Sequence, residues 1–237
     1  MPQLSCRDVS LGYDGKTIVS GLTFDVNKGD YLCIVGDNGS GKSTLMKTIL
    51  RLQTPLSGKI ETGDGVAPNE IGYLLQQTAA QKDFPATVLE VVLSGLLNRA
   101  GMRPFYSKTE KQTANENMET LGISHIAKKC YRELSGGQQQ RVLLARALCA
   151  TRKIILMDEP AAGLDPGASI EMYTLIKNLN DSGVTVIMIS HDIIASVKYA
   201  SHILHIGREK TLFFGTTEDY LKTDIGKLYT HTGGDTV

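Results

Sequence analysis

The sequence predicts an α/β fold built around a largely parallel sheet, and two observations support this. Three segments are almost continuously apolar, namely Tyr31–Val35, Ile154–Asp158 and Val184–Ser190. Continuous apolar runs of this length are typical of strands that helices cover on both faces. A helical pattern from about Pro166 to Asp181 separates the last two runs, so strand, helix and strand alternate there.

The N-terminal region has a different pattern, with short strands separated by turn residues. Leu4–Val9 and Thr23–Val26 are β-rich segments, and the turns are predicted at Asp14-Gly15 and Lys28-Gly29. We expect a small antiparallel layer here that leads into the core strand Tyr31–Val35.

A helix is predicted to follow the core strand. It begins near Gly41 to Ser43 and runs to about Leu52, because Pro55 cannot continue a helix. Two more strands are expected after it, at Gly58–Glu61 and Ile71–Leu75.

The middle of the chain, about residues 80 to 150, is predicted to be a helical subdomain. Three capping boxes mark helix starts, because in each a hydroxyl side chain stands three residues before Glu or Gln. The pairs are Thr87 with Glu90, Ser107 with Glu110, and Ser135 with Gln138.

Length and charge limit the possible classes of protein. The 237 residues are enough to bury a substantial core, and we expect one domain spanning residues 1–237. Lys plus Arg equals Asp plus Glu at 25 each, so no overall field attracts nucleic acid or anionic lipid. Neither a signal peptide nor a membrane-spanning run is visible. We expect a cytoplasmic protein that reaches a membrane only through a partner.

The four cysteines indicate reduced thiols. Cys6, Cys33, Cys130 and Cys149 are scattered, and none forms a Cys-x-x-Cys pair. Zinc or redox chemistry is therefore not predicted for them.

The segment Gly36–Ser43 fits the phosphate-loop pattern G-x-x-x-x-G-K-[ST] between a strand and a helix. Glycines let backbone N–H groups converge on phosphate oxygens, Lys42 bridges the outer phosphates and Ser43 offers a hydroxyl to Mg²⁺. The residues expected to bind the nucleotide here are Gly36, Asn38, Gly39, Ser40, Gly41, Lys42, Ser43 and Thr44.

The base is expected to be adenine. Asn27–Asp30 matches the Asn-Lys-x-Asp pattern that reads guanine in GTPases, but it precedes the phosphate loop and is typical of a turn between strands. Tyr13 is an aromatic residue of the N-terminal layer that can stack on adenine, although a plain packing role is the default for such a residue.

Two adjacent carboxylates, Asp158 and Glu159, stand at the C-terminal end of the apolar strand Ile154–Asp158, where α/β sheets bind ligands. We expect Asp158 to hold the Mg²⁺ shell and Glu159 to polarise the attacking water.

The segment Leu134–Gln138, followed by Gln139–Leu148, resembles the signature of the ABC transporter ATP-binding family, and it precedes the Asp158-Glu159 strand as it does in that family. The resemblance covers nearly the whole chain. It implies a P-loop NTPase ABC cassette with a RecA-like core, an N-terminal antiparallel β layer and an inserted helical subdomain.

The resemblance also implies roles for single residues. Tyr13 resembles the A-loop aromatic, and Gln76 resembles the Q-loop glutamine that contributes to catalysis and to the Mg²⁺ site. Residues 161–165, ending at Asp165, resemble the D-loop, and His191 resembles the H-loop switch that contacts the γ-phosphate.

In this family the signature faces ATP bound on a second subunit. Ser135 caps a helix whose first turn is glycine, so bare N–H groups and a positive dipole end are available to an anion. The resemblance therefore implies that Ser135, Gly136, Gly137 and Gln138 contact the partner's γ-phosphate in a head-to-tail homodimer. It further implies an integral membrane permease and, indirectly, a substrate-binding receptor.

The cargo is suggested by finer resemblance. The segments 83–95, Arg103–Phe105 and Phe214–Thr216 are similar to those of zinc and manganese importers. Importers of haem, iron-siderophore or cobalamin use related cassettes and remain alternatives. An exposed Phe84 with Val88 and Leu89 can form a groove for a short helix of the permease, the alternative being packing within the helical subdomain.

Two other classes are less well supported. ABC ATPases that act on ribosomes or DNA usually carry two cassettes or a coiled-coil insertion, whereas this chain has one cassette and no basic run. A regulatory module without hydrolysis is disfavoured by Glu159 and His191. His202 and His205, three apart in a predicted strand, are expected to face opposite sides and to have plain surface or packing roles rather than to bind metal.

Overall fold

The computed structural model describes residues 1–13, 15–67, 70–76, 83–97, 105–151 and 153–231. Contacts divide the chain into two compact units. The first unit comprises Met1–Pro68 and Asn180–Val237, and the second comprises Asn69–Leu179. The helical subdomain predicted at about 80 to 150 falls inside the second unit.

The strands and helices are numbered in chain order. The strands are β1 (Leu4–Tyr13), β2 (Lys16–Val26), β3 (Tyr31–Val35), β4 (Ser57–Thr62), β5 (Ile71–Leu74), β6 (Ile154–Asp158), β7 (Thr185–Ile189), β8 (His202–Ile206) and β9 (Glu209–Thr216). The helices are α1 (Lys42–Ile49), α2 (Val88–Leu93), α3 (Lys108–Thr120), α4 (Gly136–Ala150), α5 (Pro166–Asp181), α6 (Ile193–Tyr199), α7 (Thr217–Lys222) and α8 (Asp224–His231). Short 3₁₀ turns lie at Ser94–Leu96, Ser124–Ile126 and Tyr131–Glu133.

The first unit combines an antiparallel layer with parallel core strands. β1 pairs antiparallel with both β2 and β4, which confirms the predicted N-terminal layer. β3 lies between β7 and β8 and is parallel to both, while β9 runs antiparallel to β8. Every residue of β3 and β7 is buried, as their continuous apolar sequences predict. The carboxyl end of β3 is followed by the loop that connects it to α1.

The second unit places β5 beside β6 in parallel register, with Leu74 opposite Met157. Gln76, two residues after β5, and Asp158-Glu159, at the end of β6, therefore lie at the same edge. Helices α2 and α3 pack on α4, and α4 packs on β5. Apolar side chains that are fully buried fill the interior of this unit, among them Val88, Val92 and Ile154.

All three predicted capping boxes are confirmed. The hydroxyls of Thr87, Ser107 and Ser135 each accept from the backbone N–H three residues on, and the Glu or Gln there reaches back to the cap. The predicted boundaries of β3, β6 and α5 match the structure residue for residue. Within the described part of the chain, no helix is both long enough and apolar enough to traverse a bilayer.

The predicted end of α1 near Leu52 is wrong, because the helix ends at Ile49. Arg51 adopts a left-handed conformation with φ of 58°. The Arg51 N–H donates to the carbonyl of Thr48 at 3.0 Å, and the Leu52 N–H donates to the carbonyl of Lys47 at 2.9 Å. This Schellman motif, usually built on glycine, closes the helix well before Pro55.

The first two strands are longer than predicted. β1 continues past Val9 to Tyr13, and β2 begins at Lys16 rather than Thr23. Register shifts interrupt their pairing between Cys6 and Gly12. Such bulges change which face a side chain points to, so the apolar alternation that marks a strand is lost there.

Candidate functional site

The phosphate loop lies between β3 and α1 in the first unit. Gly36, Gly39 and Gly41 have φ values of 143°, 80° and 100°, which favour glycine. A Cβ at Gly36 would stand 2.0 Å from the carbonyl oxygen of Ile206, so no other residue fits there. The predicted glycines are therefore required by the shape of the loop.

The polar groups of this loop fit a chain of phosphates. Ser40 is buried, and its hydroxyl has no hydrogen-bond partner among the described residues. The Lys42 ammonium donates to the carbonyl oxygens of Gly36 and Asp37, both at 2.8 Å. Helix α1 has no side-chain cap and no acidic residue in its first turn, so its N–H groups and dipole are available to an anion.

Two further residues of the loop segment have distinct positions. Ser43 is exposed, which leaves its hydroxyl accessible, whereas Thr44 is buried. The Thr44 hydroxyl donates to the hydroxyl of Tyr13 at 3.2 Å. Tyr13 is 46% exposed at the end of β1, so its ring keeps a surface on which a base can stack. The Gln53 amide donates to the carbonyl of Gly12 at 2.8 Å, a supporting contact that the sequence pattern did not indicate.

His191 follows β7 and is exposed. It lines a cavity of about 270 Å³ together with Gly36, Asn38 and two residues that were not predicted for the site, Asp37 and Tyr229. The structure therefore brings the predicted switch histidine and the phosphate loop around one polar space within the first unit.

In the second unit, the two carboxylates lie at the end of β6 as predicted. Asp158 is buried and Glu159 has a left-handed backbone with φ of 50°. The Gln76 amide donates to a carboxylate oxygen of Glu159 at 3.1 Å. Burial, with a further contribution from the charge of Asp158, raises the pKa of Tyr73 to about 12.

The signature segment forms the N-terminus of α4. The Ser135 hydroxyl accepts from the Gln138 N–H at 3.3 Å, and the Ser135 N–H donates to the Gln138 side-chain oxygen at 3.2 Å. The first turn contains no acidic residue. Ser135, Gly136, Gly137, Gln138 and Asp165 line one cavity of about 350 Å³, so this helix end is open to an anionic ligand.

His202 and His205 pack as expected. His205 is buried, with its Nδ1 2.9 Å from the Tyr220 hydroxyl. The His202 ring is stacked against the Phe214 ring, with the centroids 6.4 Å apart. Among the described residues no three His, Cys, Asp or Glu side chains are grouped so that they could enclose a metal ion.

Comparison with known proteins identifies the family. A family model described as "ABC transporter" matches residues 19–162. The chain belongs to the ABC transporter family. The manganese transport system ATP-binding protein MntB of Bacillus subtilis is 37% identical to this cassette over 94% of the chain and 90% of its own length. The zinc uptake system ATP-binding protein ZurA of Listeria innocua is 32% identical over 92% of the chain and 87% of its own length.

A solved structure has the same fold. The ADP conformation of MJ1267, an ATP-binding cassette of an ABC transporter, superimposes with a TM-score of 0.83 at 26% identity, covering 97% of this chain and 99% of that one. The predicted fold class, an ABC cassette with an α/β core, is therefore confirmed.

The second unit of this ABC cassette also carries an apolar groove of about 660 Å³. Phe84 lies on it and is 56% exposed, as predicted. Val88 is fully buried in the subdomain core, as the packing alternative predicts, and Leu89 does not line the groove; Val91 lines it instead. Helix α2 begins at Val88, and its buried face turns that first residue inward. Arg103 and Pro104, quoted for the cargo class, lie outside the described residues.

Proposed function

We propose that this chain is the ATP-hydrolysing subunit that powers an importer of a divalent metal ion, zinc or manganese. The observation that carries the ATPase part is the phosphate loop, whose buried Ser40 hydroxyl and Lys42 ammonium fit phosphate oxygens. The cargo is supported by relatives named for manganese transport and zinc uptake, which match nearly the whole chain.

In this proposal each side chain of the site has a separate role in binding or hydrolysing ATP. Lys42 and the N–H groups of the loop bind the phosphates, while Tyr13 stacks on the adenine ring. Glu159 accepts a proton from the attacking water, and His191 contacts the γ-phosphate. The left-handed backbone at Glu159 and the bond from Gln76 restrict where this carboxylate can point.

The chemistry of the residues predicted to bind Mg²⁺ suits that ion. Ser43, Gln76 and Asp158 offer hydroxyl, amide and carboxylate oxygens, which are the donors that Mg²⁺ prefers. Too few carboxylates are grouped to form a complete cage in the described residues, so phosphate and water oxygens would complete the shell. When bound, Mg²⁺ neutralises charge on the phosphates.

The partners proposed are a second copy of this chain and a membrane permease. In a head-to-tail homodimer, Ser135, Gly136, Gly137, Gln138 and Asp165 face the nucleotide of the other copy. The groove beside Phe84 receives a short helix of the permease, which places the cassette at the cytoplasmic face of the membrane. A substrate-binding receptor would deliver the metal ion to the permease.

Transport by the reconstituted complex tests the function. The cassette and its permease are placed in vesicles with ATP, and uptake of Zn²⁺, Mn²⁺, Fe²⁺ and haem is compared. We expect ATP-dependent uptake of Zn²⁺ or Mn²⁺, and none with Glu159→Gln. Uptake of haem alone would move the protein to a neighbouring importer group, and co-purification with ribosomes or DNA instead of a permease would exclude transport.

A further inference from the structure

The side chain of Tyr229, on the C-terminal helix α8, contacts the phosphate loop. The Tyr229 hydroxyl donates to a carboxylate oxygen of Asp37 at 3.3 Å. These residues are 192 positions apart in sequence, and neither belongs to the phosphate-binding set that the loop pattern predicts. The contact joins the last described helix of the first unit to the loop that is proposed to hold ATP.

The ring of Tyr229 is fixed by a buried aromatic cluster. It meets the His205 ring edge-on, with the centroids 4.8 Å apart. His205 is in turn bonded to Tyr220, whose ring packs against Phe213 at 5.2 Å. The Tyr229 ring therefore packs on His205 of β8, and Tyr220 of α7 holds that histidine in turn.

On the loop side, Asp37 connects this cluster to the functional lysine. The carbonyl oxygen of Asp37 accepts from the Lys42 ammonium at 2.8 Å, while its carboxylate accepts from Tyr229. The start of the loop is also packed on β8, because the Ile206 carbonyl leaves no room for a Cβ at Gly36. Asp37 thus accepts hydrogen bonds from both the Lys42 ammonium and the Tyr229 hydroxyl.

The electrostatics keep Tyr229 a neutral donor. Burial raises the pKa of Tyr229, and the nearby Asp37 carboxylate raises it further. Burial also lowers the pKa of His205, against the opposing effect of Asp37. Near pH 7 a neutral hydroxyl therefore faces a carboxylate, which is the stronger, charge-assisted kind of hydrogen bond.

We propose that Tyr229 is a positioning residue of the nucleotide site, which holds Asp37 so that Lys42 and the loop N–H groups are arranged for phosphate before ATP arrives. The inference rests on the proposed ATPase function. In this proposal Tyr229 acts through Asp37 and not by binding phosphate directly. Its loss should therefore weaken ATP binding more than it slows the chemical step.

A double-mutant cycle on the full chain tests this role. The variants are Tyr229→Phe, which keeps the ring and removes the hydroxyl, Asp37→Ala, and the two combined. We measure KM for ATP, kcat and the thermal unfolding midpoint, together with equilibrium binding of ATP. Each single variant should raise KM and Kd for ATP about threefold to tenfold, as expected for losing one hydrogen bond to a charged group, with kcat within about twofold.

The combined variant should have the same KM and Kd for ATP as Asp37→Ala alone, because both changes remove the same hydrogen bond. Thr230→Val is the matched control, since it removes a hydroxyl from the same helix that bonds only to carbonyls of that helix. It should leave KM unchanged. A Tyr229→Phe variant with wild-type KM, additive effects, or an equal effect of Thr230→Val would overturn the role. A wild-type chain that does not hydrolyse ATP would instead refute the proposed function.

Discussion

Glu159 is the residue whose surroundings bear most directly on chemistry. It occupies a left-handed backbone conformation at the end of β6, and Gln76 donates to its carboxylate. A non-glycine residue in this conformation is uncommon, and such strain tends to concentrate at functional sites. This geometry supports the catalytic role proposed for Glu159, because it restricts the direction of the carboxylate.

The first prediction concerns Lys42. Replacing Lys42 with Ala should lower ATP affinity by about a hundredfold or more, because a charge-assisted contact to two phosphates is lost. The unfolding midpoint should change little, since the Lys42 ammonium donates to two carbonyls of the phosphate loop. Equilibrium ATP binding and thermal unfolding measure the two effects. Unchanged affinity would refute the site assignment.

The second prediction concerns Glu159. Glu159→Gln keeps the shape of the side chain but removes the carboxylate, so hydrolysis should slow by about a hundredfold to ten-thousandfold. ATP should still bind, and unhydrolysed ATP should hold two chains together as a dimer. Phosphate release and size-exclusion chromatography with ATP measure these outcomes. Hydrolysis at the wild-type rate would remove Glu159 from its catalytic role.

Single residues could be predicted wherever the chemistry is encoded within a few positions. Gly36, Lys42 and Asp158 belong to local patterns that a strand end and a helix start define. Gln53 and Tyr229 could not be found in this way, because their partners Gly12 and Asp37 are distant in sequence. Such contacts arise only once the strands and the C-terminal helices have packed.

At the scale of elements, α4 is the helix with the most specific requirements. Its capping box satisfies the N–H groups of Ser135 and Gln138, while the two glycines after Ser135 keep the helix end bare. The first turn of a helix without a capping box could also bind an anion. The capping box of α4 adds a fixed starting point for the helix.

The third prediction uses this helix end. Adding Ser135→Arg to Glu159→Gln should abolish the ATP-dependent dimer, because a long cation replaces the cap and obstructs the phosphate contact. ATP binding by the single chain should persist, since the change lies outside the phosphate loop. Chromatography of the double variant with ATP measures the result. Dimerisation equal to that of Glu159→Gln would refute the head-to-tail arrangement.

The fourth prediction concerns the groove of the second unit. Phe84→Asp places a charge on an apolar contact surface, which is costly when the partner buries it. Assembly with the permease and transport should fall at least about tenfold, while ATPase activity of the isolated chain persists. Phe105→Asp is the matched control, since Phe105 is 83% exposed and does not line the groove. Normal assembly of Phe84→Asp would refute the docking role.

Whole strands and helices could be predicted from the sequence where the apolar pattern was regular or a capping box marked the start. β3 and β6 are buried on both faces, and α2, α3 and α4 begin at capping boxes, so local rules were sufficient. The end of α1 was mispredicted because Arg51 takes a left-handed position that glycine normally fills. β1 and β2 were underestimated because bulges interrupt their alternation.

For the molecule as a whole, the identity of the cargo is the property that the residues of this chain indicate least directly. The balanced charge of 25 basic and 25 acidic side chains gives no overall attraction for a cation. The residues predicted for the site are proposed to act on ATP, so the metal is inferred from relatives that match over nearly the full length.

The fifth prediction follows from that inference. A strain that lacks this protein should grow poorly when zinc or manganese is chelated, and adding back the same metal should restore growth. A strain that carries only the Glu159→Gln variant should behave like the deletion, because uptake requires hydrolysis. Growth yield against chelator concentration measures the effect. Rescue by haem or a siderophore alone would assign the cassette to another importer group.

The distribution of the thiols allows this protein to be labelled without engineering. Burial raises the pKa of Cys6 and Cys33 to about 12, and Cys149 is also buried. Cys130 is partly exposed, five positions before the signature serine. Because alkylating dyes react with accessible thiolates, a maleimide fluorophore should attach mainly at Cys130. If two chains form the proposed dimer, its emission would then change when the second chain approaches Ser135.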